Sequence, residues 1–250
     1  ELIQERTRSN MKSTFIEELQ NLLQSETKMS VMIDFFKSAK LRNTTDSIRD
    51  YISKVVRQPE FCYDELDKLV VYSDRVIPVV SYLNGDISTD RIIKDTEQFQ
   101  NRFRHIAFRL RPQDFNIVYE TISAYIREGD FLILDIGSSQ YTSPVFKQIY
   151  REISTEKKQK RFKSIIINSH RQRELTNISM VDKEPIAEID NSLKDLYNSA
   201  YMSKFDGFGD YATINAELPS KGGRISPVGI YYSNENNFFV AFKGRVPLLS

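Results

Sequence analysis

The sequence predicts an α/β protein with a barrel-like (β/α) arrangement, and three observations carry that expectation. Short apolar, β-branched runs alternate with helix-patterned stretches at intervals of about 25 to 45 residues, the spacing of parallel strands joined by crossover helices. The strand runs are apolar nearly throughout, as strands covered on both faces are. No glycine-rich phosphate loop follows any of them, which weighs against a nucleotide-binding doubly wound sheet, the alternative that the spacing alone leaves open. The 250 residues suit a single barrel-like domain over 1–250.

In order along the chain, Phe15, Leu19, Leu22 and Leu23 fall at helical spacing and predict a helix over 11–23. Ser30 to Phe36, apolar but for Asp34, reads as a buried strand. Asp46 can cap a helix through Ile48, Tyr51, Ile52, Val55 and Val56. Residues 58–75 read as a loop and a short helix. Val76 to Leu83 is a strand by its β-branched content, Asn84-Gly85 a turn, and Thr89 the cap of a helix through Ile92 and Phe99. His105 to Leu110 is the next strand. Pro112 opens a helix whose apolar face is Ile117, Val118, Ile122 and Ile126, with Gly129 as its terminator.

Phe131 to Ile136 is the clearest strand in the chain. Ser143-Pro144 starts a helix with Val145, Ile149 and Ile153 on one face. Ser164 to Asn168 reads as a strand, Ile186 to Tyr201 as a helix, and Tyr211 to Ile214 as a strand. Val228 to Tyr232 and Phe238 to Phe242, joined by Ser-Asn-Glu-Asn-Asn, predict a C-terminal β-hairpin.

Composition excludes several classes. Apolar residues make up 40% and charged residues 28%, enough for a core and against disorder. The net charge of +1 provides no global pull toward nucleic acid or an anionic membrane. The single cysteine, Cys62, forms neither an internal disulfide nor a thiolate metal site, which suits the cytoplasm. No apolar run reaches the roughly 18–20 residues of a membrane span. Gly-x-Ser-x-Gly, phosphate-loop, His-Glu-x-x-His and paired-cysteine motifs are missing, so acyl transfer, nucleoside-triphosphate hydrolysis and zinc-peptidase chemistry lack support.

The C-terminal third carries FGDYATIN, Phe208 to Asn215, then a variable loop, then PVGIYYSNENNFFVAFKG, Pro227 to Gly244. This resembles the ending of the beta protein family, named for a T-even phage protein and also found in bacteria. Gly209, Asp210 and Tyr211 match that family's Gly-Asp-Tyr triplet, and Tyr231 and Tyr232 its aromatic strand. Lys243-Gly244 stands where the family more often has Arg-Gly. Upstream, His105 to Leu110 and Phe131 to Ser138 resemble its strand ending in arginine and its strand ending in aspartate. The resemblance implies a barrel-like fold, an extra strand ahead of the first one here (so that this barrel would lack its first strand), and a phage-defence setting. It implies no settled activity.

In a barrel, functional residues gather where the βα loops converge, at the C-terminal ends of the strands. Those ends hold Asp34, Tyr82, Arg109 with Arg111, Asp135, Asn168 with His170, and Asp210 followed by Tyr211. Asp34, Asp135 and Asp210, if they converge, would hold a divalent cation; the competing expectation is that each caps a helix or pairs with an arginine. Arg109 and Arg111 flank Leu110, share a strand face, and could fork a phosphate; alternatively one bridges Asp135. His170 could act as a general base that moves protons or as a metal ligand; the competing expectation is a solvated loop histidine beside Arg171 and Arg173. Glycines 207 and 209 allow close approach of a ligand or of another strand beside Asp210 and Tyr211. His105 starts its strand, far from this end, and reads as structural. The basic run Lys157 to Lys163 falls at the opposite end and reads as a solvated loop, with nucleic acid as its other reading. Two functions follow: a recognition module that binds a phage or host protein, or a metal-dependent enzyme acting on a phosphate-containing or nucleic-acid substrate. Neither involves a membrane.

Overall fold

The computed structural model describes residues 15–35, 37, 46–83, 86–137, 139–168, 182–183, 185–188, 195–196, 198–199, 204–209, 228–233 and 238–243. Six strands form one parallel sheet: β1 (Val31–Ile33), β2 (Val76–Val80), β3 (Ala107–Leu110), β4 (Phe131–Gly137), β5 (Lys163–Asn168) and, after the short strand β6 (Pro185–Glu188), β7 (Gly207–Gly209). Their order is β1-β2-β3-β4-β5-β7. Each strand of this sheet is laid beside its predecessor and the order never reverses. A doubly wound sheet must reverse at its switch point. The result is a curled half-barrel, with α2 (Asp46–Arg57) and α3 (Pro59–Asp67), α4 (Thr89–Gln100), α5 (Phe115–Ser123) and α6 (Pro144–Lys160) in the successive crossovers. An additional helix, α1 (Phe15–Ser25), precedes β1.

Strand alternation splits the sheet into two faces. Ile33, Val80, Phe108, Leu110, Leu132, Leu134 and Ile166 pack into the main core with Val55, Ile92, Phe99, Val118, Ile122 and Ile153 of the helices. The other face, the inside of the curl, holds a smaller core of Ile77, Val79, Ala107 and Ile133, with Met32, Ile165 and Ile167 against it. Gly207 and Gly209 sit beside Ile165 and Ile167; a Cβ at Gly207 would come within 3.2 Å of Ile165.

Several boundaries differ from expectation for definable reasons. The cap of α4 is Ser88, whose side chain accepts from the Arg91 N–H, and Thr89 is already helical. Helix α5 ends at Ser123; Gly129 lies beyond it in a tight turn with φ +82°. The start of the stretch read as a helix over Ile186 to Tyr201, residues 186–188, belongs to a strand, β6, pairing antiparallel with β9 (Phe238–Lys243). Strand β8 (Val228–Ser233) pairs antiparallel with the other edge of β9, giving a three-stranded sheet of order β6-β9-β8. The connection 234–237 lies outside the described residues, as do the turn at Asn84-Gly85 and the strand expected over Tyr211 to Ile214.

Candidate functional site at the C-terminal ends of the strands

Asp34 follows β1, Ser81 follows β2, Arg109 lies in β3 and Asp135 in β4. Each is two residues beyond an inner-face apolar residue (Met32, Val79, Ala107 and Ile133), so alternation turns all four toward the inside of the curl. Arg109 bridges the carboxylates. Its Nη1 donates to Asp34 Oδ2 at 2.6 Å, while its Nε and Nη2 donate to Asp135 Oδ2 at 3.0 and 2.7 Å. The Arg109 and Asp135 side chains are only 12% and 3% exposed. Burying such charges is tolerable only because each carries a partner of opposite sign and good geometry.

The carboxylates are held from behind as well. Ser81 Oγ donates to Asp34 Oδ1 at 2.6 Å, and the Gly137 N–H donates to Asp135 Oδ1 at 3.0 Å. That second contact depends on a bulge. Asp135 pairs with Ile167 but Gly137 pairs with Asn168, so β4 carries one extra residue at Ile136. Gly137 absorbs the irregularity with φ +55°. Asn168, fully buried, locks the same turn by donating through Nδ2 to the carbonyls of Gly137 and Ser139 at 2.7 and 3.0 Å.

A second charged group adjoins the first. Lys37 Nζ donates to the Ser81 carbonyl and lies 3.8 Å from Asp95 Oδ2. Asp95, in α4, accepts from Arg91 Nε and Tyr63 Oη, both at 2.6 Å. Ser81 thereby links the mouth to the helix layer. Burial, together with the Asp95 hydrogen bond, holds the Tyr63 phenol well above its ordinary value. Burial also pushes the Cys62 thiol up to about 11, which keeps it protonated and unreactive.

Of the residues singled out from sequence, Asp34, Arg109 and Asp135 come together in one bonded group. Tyr82 does not join it. It belongs to the helix-facing core, where its hydroxyl accepts from the Arg111 N–H at 3.0 Å, and burial holds its phenol well above its ordinary value. The Arg111 Nη1 and the Asp114 Oδ2 are buried without a hydrogen-bond partner among the described residues. His170, Asp210 and Tyr211 lie outside the described residues. Among the described residues no three His, Cys, Asp or Glu side chains are grouped to hold a metal ion, and the space between Asp34 and Asp135 is filled by a guanidinium.

Sequence reasoning passed over Ser81, Lys37, Arg91 and Asp95. Three of these carried a signal: Arg91 and Asp95 stand four apart on one helix, and Ser81 continues the inner-face alternation of Ile77 and Val79.

A family model described as Beta protein matches residues 1–247, nearly the whole chain. The chain belongs to the beta protein family. The match takes in α1, ahead of the stretch from β1 onward over which the motifs of the resemblance are ordered. No curated protein and no solved structure shows a significant match to the chain. Family membership suggests a phage-associated protein and brings no specific activity with it. No described helix is long and apolar enough to cross a membrane.

Proposed function

We propose that this beta protein is a recognition module in phage–host conflict, binding a phage or host protein, with Asp34, Arg109 and Asp135 as the rigid floor of its barrel mouth. The observation that carries the reading is the bidentate seat of Asp135 on Arg109 and the further bond from Arg109 to Asp34. A guanidinium spent on two carboxylates is a structural clamp. It stands where a divalent cation would have to stand, so the enzyme alternative would require the clamp to open. The sequential strand order supports a barrel-type arrangement around this mouth.

The test is efficiency of phage plating on cells expressing the chain, set beside the melting temperature of each purified variant. For Asp34→Asn, Asp135→Asn and Arg109→Lys, the clamp reading expects loss of the plating effect to track loss of stability. A variant that keeps the wild-type melting temperature and loses the plating effect completely would transfer these residues to a catalytic role.

A further inference from the structure

The opposite end of the sheet is electrostatically lopsided. The turns that lead into β3, β4 and β5, residues 100–106, 124–130 and 156–164, contain eight Lys or Arg side chains against three Asp or Glu, in a chain whose total charge is +1. Several of the cations are paired: Arg161 with Glu128 at 2.7 Å, Lys160 with Glu156 at 3.1 Å, Lys157 with Asp206 at 3.1 Å and Arg102 with Asp67 at 2.6 Å. Arg104, Lys158 and Lys163 are exposed and pair with no acidic side chain among the described residues. Lys163 rests over the Phe131 ring, 5.3 Å from its centroid, which holds the ammonium up at the start of β5. Arg104 precedes β3, two strand spacings of about 4.8 Å away. Between them His105 is disfavoured from protonation chiefly by burial, with Asp130 opposing and Arg104, Arg127 and Lys163 adding to the effect.

We infer that this N-terminal face of the sheet is a docking surface for the phosphate backbone of duplex DNA, with Arg104, Lys158 and Lys163 as the contacting cations. Duplex DNA presents one negative charge per about 1.7 Å of axis, so cations about 10 Å apart fall on a single stretch of backbone. The aromatic side chains of these turns argue against a single strand. Phe103 and Phe162 are buried, Phe131 lies beneath Lys163 and Tyr125 is half-buried, so these turns carry no row of exposed rings for successive bases to stack on. A membrane surface is disfavoured because the exposed large apolar side chains among the described residues (Phe15, Leu22, Val71, Ile117 and Val145) all lie outside these turns. This inference is independent of the mouth, which lies at the other end of the strands.

Fluorescence anisotropy with a labelled 20-base-pair duplex tests it. Three neutralised phosphates predict a slope of log affinity against log salt near about −2.7, or about fortyfold weaker binding at 200 mM than at 50 mM. The double variant Arg104→Glu/Lys163→Glu, at exposed positions and checked for an unchanged melting temperature, should bind at least tenfold more weakly at 50 mM. The control Arg49→Glu/Lys54→Glu on α2 makes the same change in net charge and should weaken binding far less. Salt-independent binding or no binding overturns the inference. So does an equal effect of the two double variants, or equal affinity for a single-stranded oligonucleotide or for phosphatidylglycerol vesicles.

Discussion

Strand β4 carries a buried aspartate at each end, and the two are satisfied in different ways. Asp130, just before the strand and fully buried, accepts from the backbone N–H groups of Ile106 and Arg127, both at 3.0 Å, with Arg127 Nε at 3.3 Å behind them. Asp135, at the other end, accepts from the Arg109 guanidinium and from the Gly137 N–H. The first is a staple joining one turn to the next strand, and its partners belong to the fold itself. The second is one member of a charge group whose other side chains, Arg109 and Asp34, come from β3 and from just after β1. An aspartate held by backbone amides reports on the turn, whereas an aspartate held by a side chain reports on what the mouth is built to do.

That contrast can be broken in several places. The largest effect is expected at Arg109. Arg109→Met strands two buried carboxylates and should lower the unfolding free energy by about 3–5 kcal/mol in urea titration. A loss under 1 kcal/mol would mean that the clamp is not structural. Next comes Asp130→Asn, which keeps one acceptor oxygen but turns an amide NH2 toward one of two backbone donors; about 1–3 kcal/mol is expected, together with faster amide exchange at Ile106 or Arg127. Gly129→Ala should cost about 1–2 kcal/mol from the backbone alone. The φ of +82° disfavours a side chain there, and the added Cβ would fall 2.5 Å from His105 Cε1.

The smallest effect is in pH. Burial lowers the His105 pKa in the folded state below its ordinary value, so the unfolded chain binds more protons between the two values. The His105 contribution to stability is therefore complete above the ordinary imidazole pKa and is lost as pH falls from there to the folded value. Melting temperatures of wild type should decline as pH falls below about 6.5, and His105→Gln should remove part of that decline. An identical pH profile for the two proteins would show that His105 is as solvated folded as unfolded.

Much of this architecture was legible in the sequence because the strands of a covered sheet are short, apolar and β-branched. β2, β4 and β5 stand within a few residues of their expected positions. The misreadings share a cause. β6 is four residues long and opens a stretch in which Ile186, Ile189, Leu193 and Leu196 are spaced by three and four, so the period pointed to a helix. β7 is Gly-Phe-Gly, a composition disfavoured in strands; its glycines fit because Ile165 and Ile167 crowd the inner face beside them. At the mouth, position alone marked Asp34, Arg109 and Asp135. Which groups bonded which depended on the curl of the sheet, and no linear spacing encodes that. Lys37 was invisible for the same reason: its partners, the Ser81 carbonyl and Asp95, arrive from beyond β2 and from α4.

The most direct test of the clamp is equilibrium unfolding of Arg109→Met beside the triple variant Asp34→Asn/Arg109→Met/Asp135→Asn. If Arg109 is there to neutralise two buried carboxylates, removing all three charges together should restore more than half of the stability lost by the single change, since the triple variant strands no ion. A triple variant no more stable than Arg109→Met would contradict the account, because the stranded carboxylates would then not be the source of the loss.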